Sequence, residues 1–250
     1  MRKNPREFLL LEFPLVTLII LAGCLLGFIV EVVLLGSGRG LPDFLVSFGV
    51  VPLEVVSYFH GVAGTTFLNS VLPFFSSLFL HGGVLHLLTN VLYLWMVGDV
   101  LEVWLGRTRF VVLFLFGSAA ELIVRIGVSG VPSGLASVGI SGAVAALIGG
   151  YAVVVGKALR KETGEAGFSG LLRRLPLVLG TAAWFPMQLV NGYMQLGETC
   201  QTHDPISWLA LLTSFALGMF LVSLSGRRDA PVSAEAPALP TEEDVSFLEA

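Results

Sequence analysis

Gly139-Ile140-Ser141-Gly142-Ala143 opens a run of small and apolar residues that continues to Gly156. A single hydroxyl between two glycines, inside so apolar a segment, asks for a physical reason. Glycine has no side chain to hold a neighbour away, so another helix or a bound chain can come close to the serine from either side. Taken alone, the stretch fits the small-residue packing face of a membrane helix. It fits equally a nucleophile exposed to an approaching backbone. The rest of the chain has to decide.

Of the 250 residues, 55% are hydrophobic and 13% charged. Soluble domains carry roughly 25% charged residues, so the composition predicts an integral membrane protein. The net charge of −4 says less than the placement of the charges. No basic stripe interleaved with aromatics is present, which excludes a nucleic-acid partner. Cys24 lies in an apolar segment and Cys200 in a polar one, so no disulfide framework is expected. No metal or cofactor is expected.

Six stretches are long and apolar enough to cross roughly 30 Å of hydrocarbon: 10–33, 84–104, 109–127, 137–156, 174–195 and 206–224. The first follows a basic N-terminus but exceeds a signal-peptide core and has no small-residue cleavage site, so it reads as a retained span. The organisation expected is a cytoplasmic segment 1–9, a six-helix membrane domain 10–224 and a disordered cytoplasmic tail 225–250, rich in Pro, Ala and acidic residues. The connection from Gly36 to Phe79 is too rich in aromatics for a free linker and reads as partly membrane-embedded. With the N-terminus inside, only Arg39 and Arg125 of the 14 Lys and Arg residues fall on the outer side. That bias predicts six spans with both termini in the cytoplasm. It also puts Ser141 about one turn into its helix from the outer surface.

His86 and Asn90 are four residues apart on the second span, on one helical face and near the same outer level. An imidazole, a carboxamide and a hydroxyl at one depth in hydrocarbon are costly unless they serve each other or water. Together they suggest Ser141 as a nucleophile, with His86 and Asn90 donating to a developing oxyanion. Glu121 and Arg125, four apart on the third span, read as a structural ion pair.

These blocks resemble the rhomboid family of intramembrane serine proteases. Ser76-Ser77-Leu78-Phe79-Leu80-His81-Gly82-Gly83-Val84-Leu85-His86-Leu87-Leu88-Thr89-Asn90 is similar to the family's second-helix block. Gly98, Glu102 and Leu105-Gly106-Arg107 resemble its turn into helix three, Gly139-Ile140-Ser141-Gly142-Ala143 its nucleophile motif, and Trp184-Phe185, Gln188-Leu189 and Gly192 its fifth helix. The resemblance covers about 8–224. It implies an all-α bundle of six transmembrane helices and a serine that attacks peptide bonds of transmembrane substrates in the lipid bilayer.

The sixth span departs from this pattern. Trp208, Ala210, Phe215 and Gly218 set the register, and Leu211 then falls where the family carries its general-base histidine. Thr213 and Ser214 replace the close-packing glycines, and Ala145 stands where an aromatic residue is common. A serine without a base is a poor nucleophile. Loss of the base in serine proteases costs on the order of 10⁶ in rate, and an oxyanion site alone leaves roughly 10³ to 10⁴ over water. The expected protein is therefore a catalytically impaired relative that binds transmembrane helices. The alternative is an active serine endopeptidase using His203 or His86 as an unorthodox base. The short basic N-terminus, with no other targeting signal, points to a bacterial inner membrane.

Overall fold

A computed structural model of the chain describes residues 13–37, 40–128, 134, 136–162, 183–188 and 205–225. Five long helices dominate: α1 (Leu15–Gly36), α6 (Val84–Leu105), α7 (Arg107–Val128), α8 (Ser141–Glu162) and α9 (Pro205–Leu224). Four short ones, α2 (Leu41–Phe48), α3 (Pro52–Phe59), α4 (Phe67–Ser70) and α5 (Pro73–Ser77), fill the first long connection. Among the described residues there is no β-strand, only an isolated bridge between Val50 and Ser137.

α1, α6 and α7 are each 22 residues long and apolar enough to cross a membrane. At 1.5 Å per residue that is roughly 33 Å. α8 and α9 carry shorter apolar stretches, Ser141–Lys157 and Trp208–Leu224. Ile19, Leu26, Ile29 and Val33 on α1, Trp95 on α6, Phe116 and Ile123 on α7 and Phe220 on α9 stay exposed. Apolar side chains on the outside suit a helix bundle whose solvent is lipid. The protein is an integral membrane protein.

Five of the six expected spans thus coincide with long helices. Of the fifth, 174–195, the described part is a helical stretch 184–188, whose Trp184 is fully buried against Tyr93 of α6. The rest of that stretch, and the tail after Ser225, lie outside the described residues. The connection after Gly36 is folded into the four short helices, three of them carrying proline in their first turn. There the fixed φ suits a helix start and the missing N–H costs nothing.

α6 is buried along one face. Leu94, Val97, Leu101 and Leu105 are buried, and Glu102 beside them is 2% exposed. Its carboxylate is consumed by the start of α1: Oε1 accepts the Val16 N–H at 2.9 Å, and Oε2 accepts the Thr17 N–H and hydroxyl, each at 2.8 Å. Those amides are among the first-turn donors a helix cannot satisfy itself. Gly98, one turn earlier, lets α1 in, since a Cβ there would lie 2.8 Å from Thr17 Cγ2.

α8 packs between α7 and α9 through small residues. A Cβ on Gly149 would strike the Phe215 carbonyl, and one on Gly218 the Ala146 carbonyl. Helices therefore meet backbone to backbone, the close approach that glycine permits in membranes. Ser214 is fully buried and donates to the Gly117 carbonyl of α7 at 2.9 Å and to its own turn at Ala210, 3.1 Å. At the other end, Lys157 Nζ donates to the Val222 carbonyl at 3.2 Å and lies 5.1 Å above the Trp104 ring.

Candidate functional site

The expected helix from 137 begins four residues later, at Ser141 itself. Residues 136–138 are extended instead. Ser137 exchanges backbone hydrogen bonds with Val50 at 3.1 and 2.8 Å, and the Gly139 N–H donates to the Ser77 carbonyl at 2.8 Å. These contacts fasten the first connection to the strand-like lead into Ser141. Ser141 is thus the first helical residue, roofed by other parts of the chain, rather than one turn down a continuous helix.

Gly139 has φ +104°, which L residues with side chains rarely adopt. A Cβ there would also lie 2.6 Å from Cε1 and 2.9 Å from Nε2 of His86. The first glycine of the motif therefore makes room for the histidine. His86 is 5% exposed, and its ring meets that of His81 at 5.4 Å. His81 is fully buried ahead of α6, its backbone N–H donating to Glu31 Oε1 of α1 at 2.6 Å. Burial, with His86 as a second cause, pushes the His81 imidazole down to about 3.

The second glycine answers to another residue. A Cβ on Gly142 would lie 2.5 Å from Glu121 Oε2 and 2.6 Å from Glu121 Cβ. Glu121 of α7 occupies that space, and the Ser141 hydroxyl donates to its carboxylate, 3.2 Å from Oε2 and 3.3 Å from Oε1. Arg125 holds the same carboxylate from the next turn, with Nη2 at 3.0 Å and Nε at 3.3 Å from Oε1. Glu121 is 8% exposed, as is Ser141. The ion pair expected on α7 is present, and it is also the hydrogen-bond partner of the serine.

Beside Glu121 lies a cavity of about 20 Å³ whose walls include Val50, Ser77, Ser118, Ser137 and Gly139. That is room for about one water-sized group. Ser118 is buried, and among the described residues its hydroxyl has no hydrogen-bond partner. Asn90, fully buried on α6, likewise has both amide atoms without a partner among the described residues. Leu211 and Ala145 are both buried in the main hydrophobic cluster. His203 lies outside the described residues, and His60 is exposed with Nδ1 2.8 Å from the Val56 carbonyl of its own helix.

Sequence reasoning paired Glu121 with Arg125 and stopped there. A signal was available: α7 and α8 are consecutive, and Glu121 and Ser141 sit toward the ends joined by the short connection between them. What could not be read was the rotation of α7 that turns the carboxylate onto Gly142.

Residues 68–228 match the family model of the Rhomboid domain. No curated protein matches the chain.

Proposed function

We propose that this chain, which belongs to the rhomboid family, binds transmembrane helices of other proteins and does not cleave them by the family's serine–histidine route. The observation that carries this reading is Leu211, buried in the hydrophobic cluster together with Ala145. An isobutyl group cannot take a proton, and a serine deprived of its base loses about 10⁶ in rate. Ser141, His86 and Asn90 keep the residue types of a nucleophile and an oxyanion site, without the histidine that the family's route would use as base. The scaffold around them supports retention of the helix-binding role. Six spans, cytoplasmic termini and a bacterial inner membrane complete the proposal.

The test uses the purified protein in liposomes with a single-span substrate whose helix contains a destabilising Gly-Pro segment. Binding, followed by energy transfer between labelled partners, is expected for the wild type and for Ser141→Ala alike. No cleavage is expected from either. Peptide cleavage by the wild type that disappears in Ser141→Ala overturns the reading. Leu211→His combined with Ala145→Phe restores a base and its aromatic packing partner, and gained cleavage is the expected result.

A further inference from the structure

The geometry points to a second kind of partner for the serine: we propose that Ser141 is a nucleophile whose proton is taken by Glu121, forming a covalent acyl-serine with activated acyl donors such as thioesters and aryl esters. This goes beyond helix binding and does not require peptide cleavage.

Three observations on different residues converge. The Ser141 hydroxyl donates to both carboxylate oxygens at 3.2 and 3.3 Å, the relation a nucleophile needs with its base. The base is in turn oriented by a third group, Arg125, whose guanidinium holds Oε1 at 3.0 and 3.3 Å. An ion pair along one helix requires nothing of α8. Yet Gly142 leaves open the space the carboxylate fills, and Gly139 leaves open the space for the His86 ring. Both glycines around Ser141 thus admit a polar side chain from a neighbouring helix.

The chemistry sets the donor class. Carboxylates are roughly two pK units less basic than imidazole in model compounds, so attack assisted by one is slower by up to about 10². Thioesters and aryl esters tolerate that handicap, because their leaving groups depart without prior protonation. In the forward step the Oγ–carbonyl carbon bond forms while the Oγ proton moves to Glu121. The C–S bond then breaks, and the departing thiolate takes that proton and leaves as thiol. Hydrolysis reverses the roles: water attacks the acyl carbon, Glu121 accepts its proton, and Ser141 leaves and recovers a proton from Glu121.

The experiment treats the full-length protein in detergent micelles with a fluorescent fluorophosphonate, in which an Oγ–P bond forms and fluoride leaves. Mass spectrometry locates the adduct, and an aryl thioester gives the parallel acyl measurement. The wild type is expected to label on Ser141 and Ser141→Ala not at all. Glu121→Gln, which keeps a hydrogen-bond acceptor beside the serine, is expected to label at least 100-fold more slowly with unchanged gel-filtration behaviour. Formate added to Glu121→Ala is expected to restore part of the rate, which a purely structural role for Glu121 would not allow. Absence of labelling on folded wild type overturns the proposal and leaves the helix-binding reading intact. Labelling of Glu121→Gln at the wild-type rate also overturns it. Should Glu121→Gln fail to fold, formate rescue of Glu121→Ala decides, and labelling of Glu121→Ala that formate does not raise overturns the proposal.

Discussion

Gly142 faces Glu121 across the α7–α8 contact so closely that a methyl group on it would lie 2.5 Å from Oε2. The carboxylate that receives the Ser141 hydroxyl therefore depends on the residue next to that serine having no side chain. Gly117, whose carbonyl would lie 2.9 Å from the same methyl, closes the space from behind.

Gly142→Ala is accordingly expected to cost about 1–3 kcal/mol, the usual penalty of overpacking a filled interior. Thermal unfolding in detergent measures it. Ala143→Gly, on the neighbouring position, removes one methyl and some helix propensity, about 1 kcal/mol. A Gly142→Ala protein as stable as wild type would show that α7 and α8 do not meet as described.

Glu102 ties the start of α1 to the C-terminal end of α6 through three hydrogen bonds to Val16 and Thr17. Glu102→Ala leaves those donors unsatisfied in a buried place, at about 1–3 kcal/mol for a buried group that loses its partner. Protease accessibility of the first turn of α1 is expected to rise as it frays. Glu102→Gln retains acceptor oxygen for part of the set and is expected to fall between the two.

The α8–α9 crossing rests on Gly218 against the Ala146 carbonyl and on Gly149 against the Phe215 carbonyl. Backbone cannot move aside as a side chain can. Gly218→Ala is therefore expected to be more damaging than Gly142→Ala, at or above about 3 kcal/mol. Folded yield and cross-linking between cysteines placed on the two helices report it.

His81 supplies a pH dependence. Its imidazole is pushed from 6.5 down to about 3 by burial, so the folded protein favours the neutral ring. A lowered folded pKa means the unfolded chain binds the proton more readily, and stability rises with pH over this interval. The contribution is complete above about pH 6.5 and is lost progressively as pH falls toward 3. In a stability series across that window, His81→Phe is expected to remove the uptake of about one proton on unfolding.

The membrane class, five of the long helices and the family resemblance were legible because they rest on composition, apolar run length and motif order, all local properties. The motif glycines were legible as points of close approach. What approaches them was not: His86 comes from 53 residues upstream and Glu121 from 20, counting back from Gly139 and from Ser141. The start of α8 at Ser141 was also hidden, since small and apolar residues continue back through 137–140 and only the Val50–Ser137 bridge and the φ of Gly139 mark the break.

By itself the sequence determined that the chain lives in a membrane, where five long helices lie along it, and that position 211 carries an apolar leucine. The tertiary structure alone decided that the Ser141 hydroxyl rests on the Glu121 carboxylate. The physical reason is rotational. Apolar periodicity locates a helix along the chain, but the angle at which α7 presents Glu121 is set by the groove that Gly117, Gly142 and Ala146 form together.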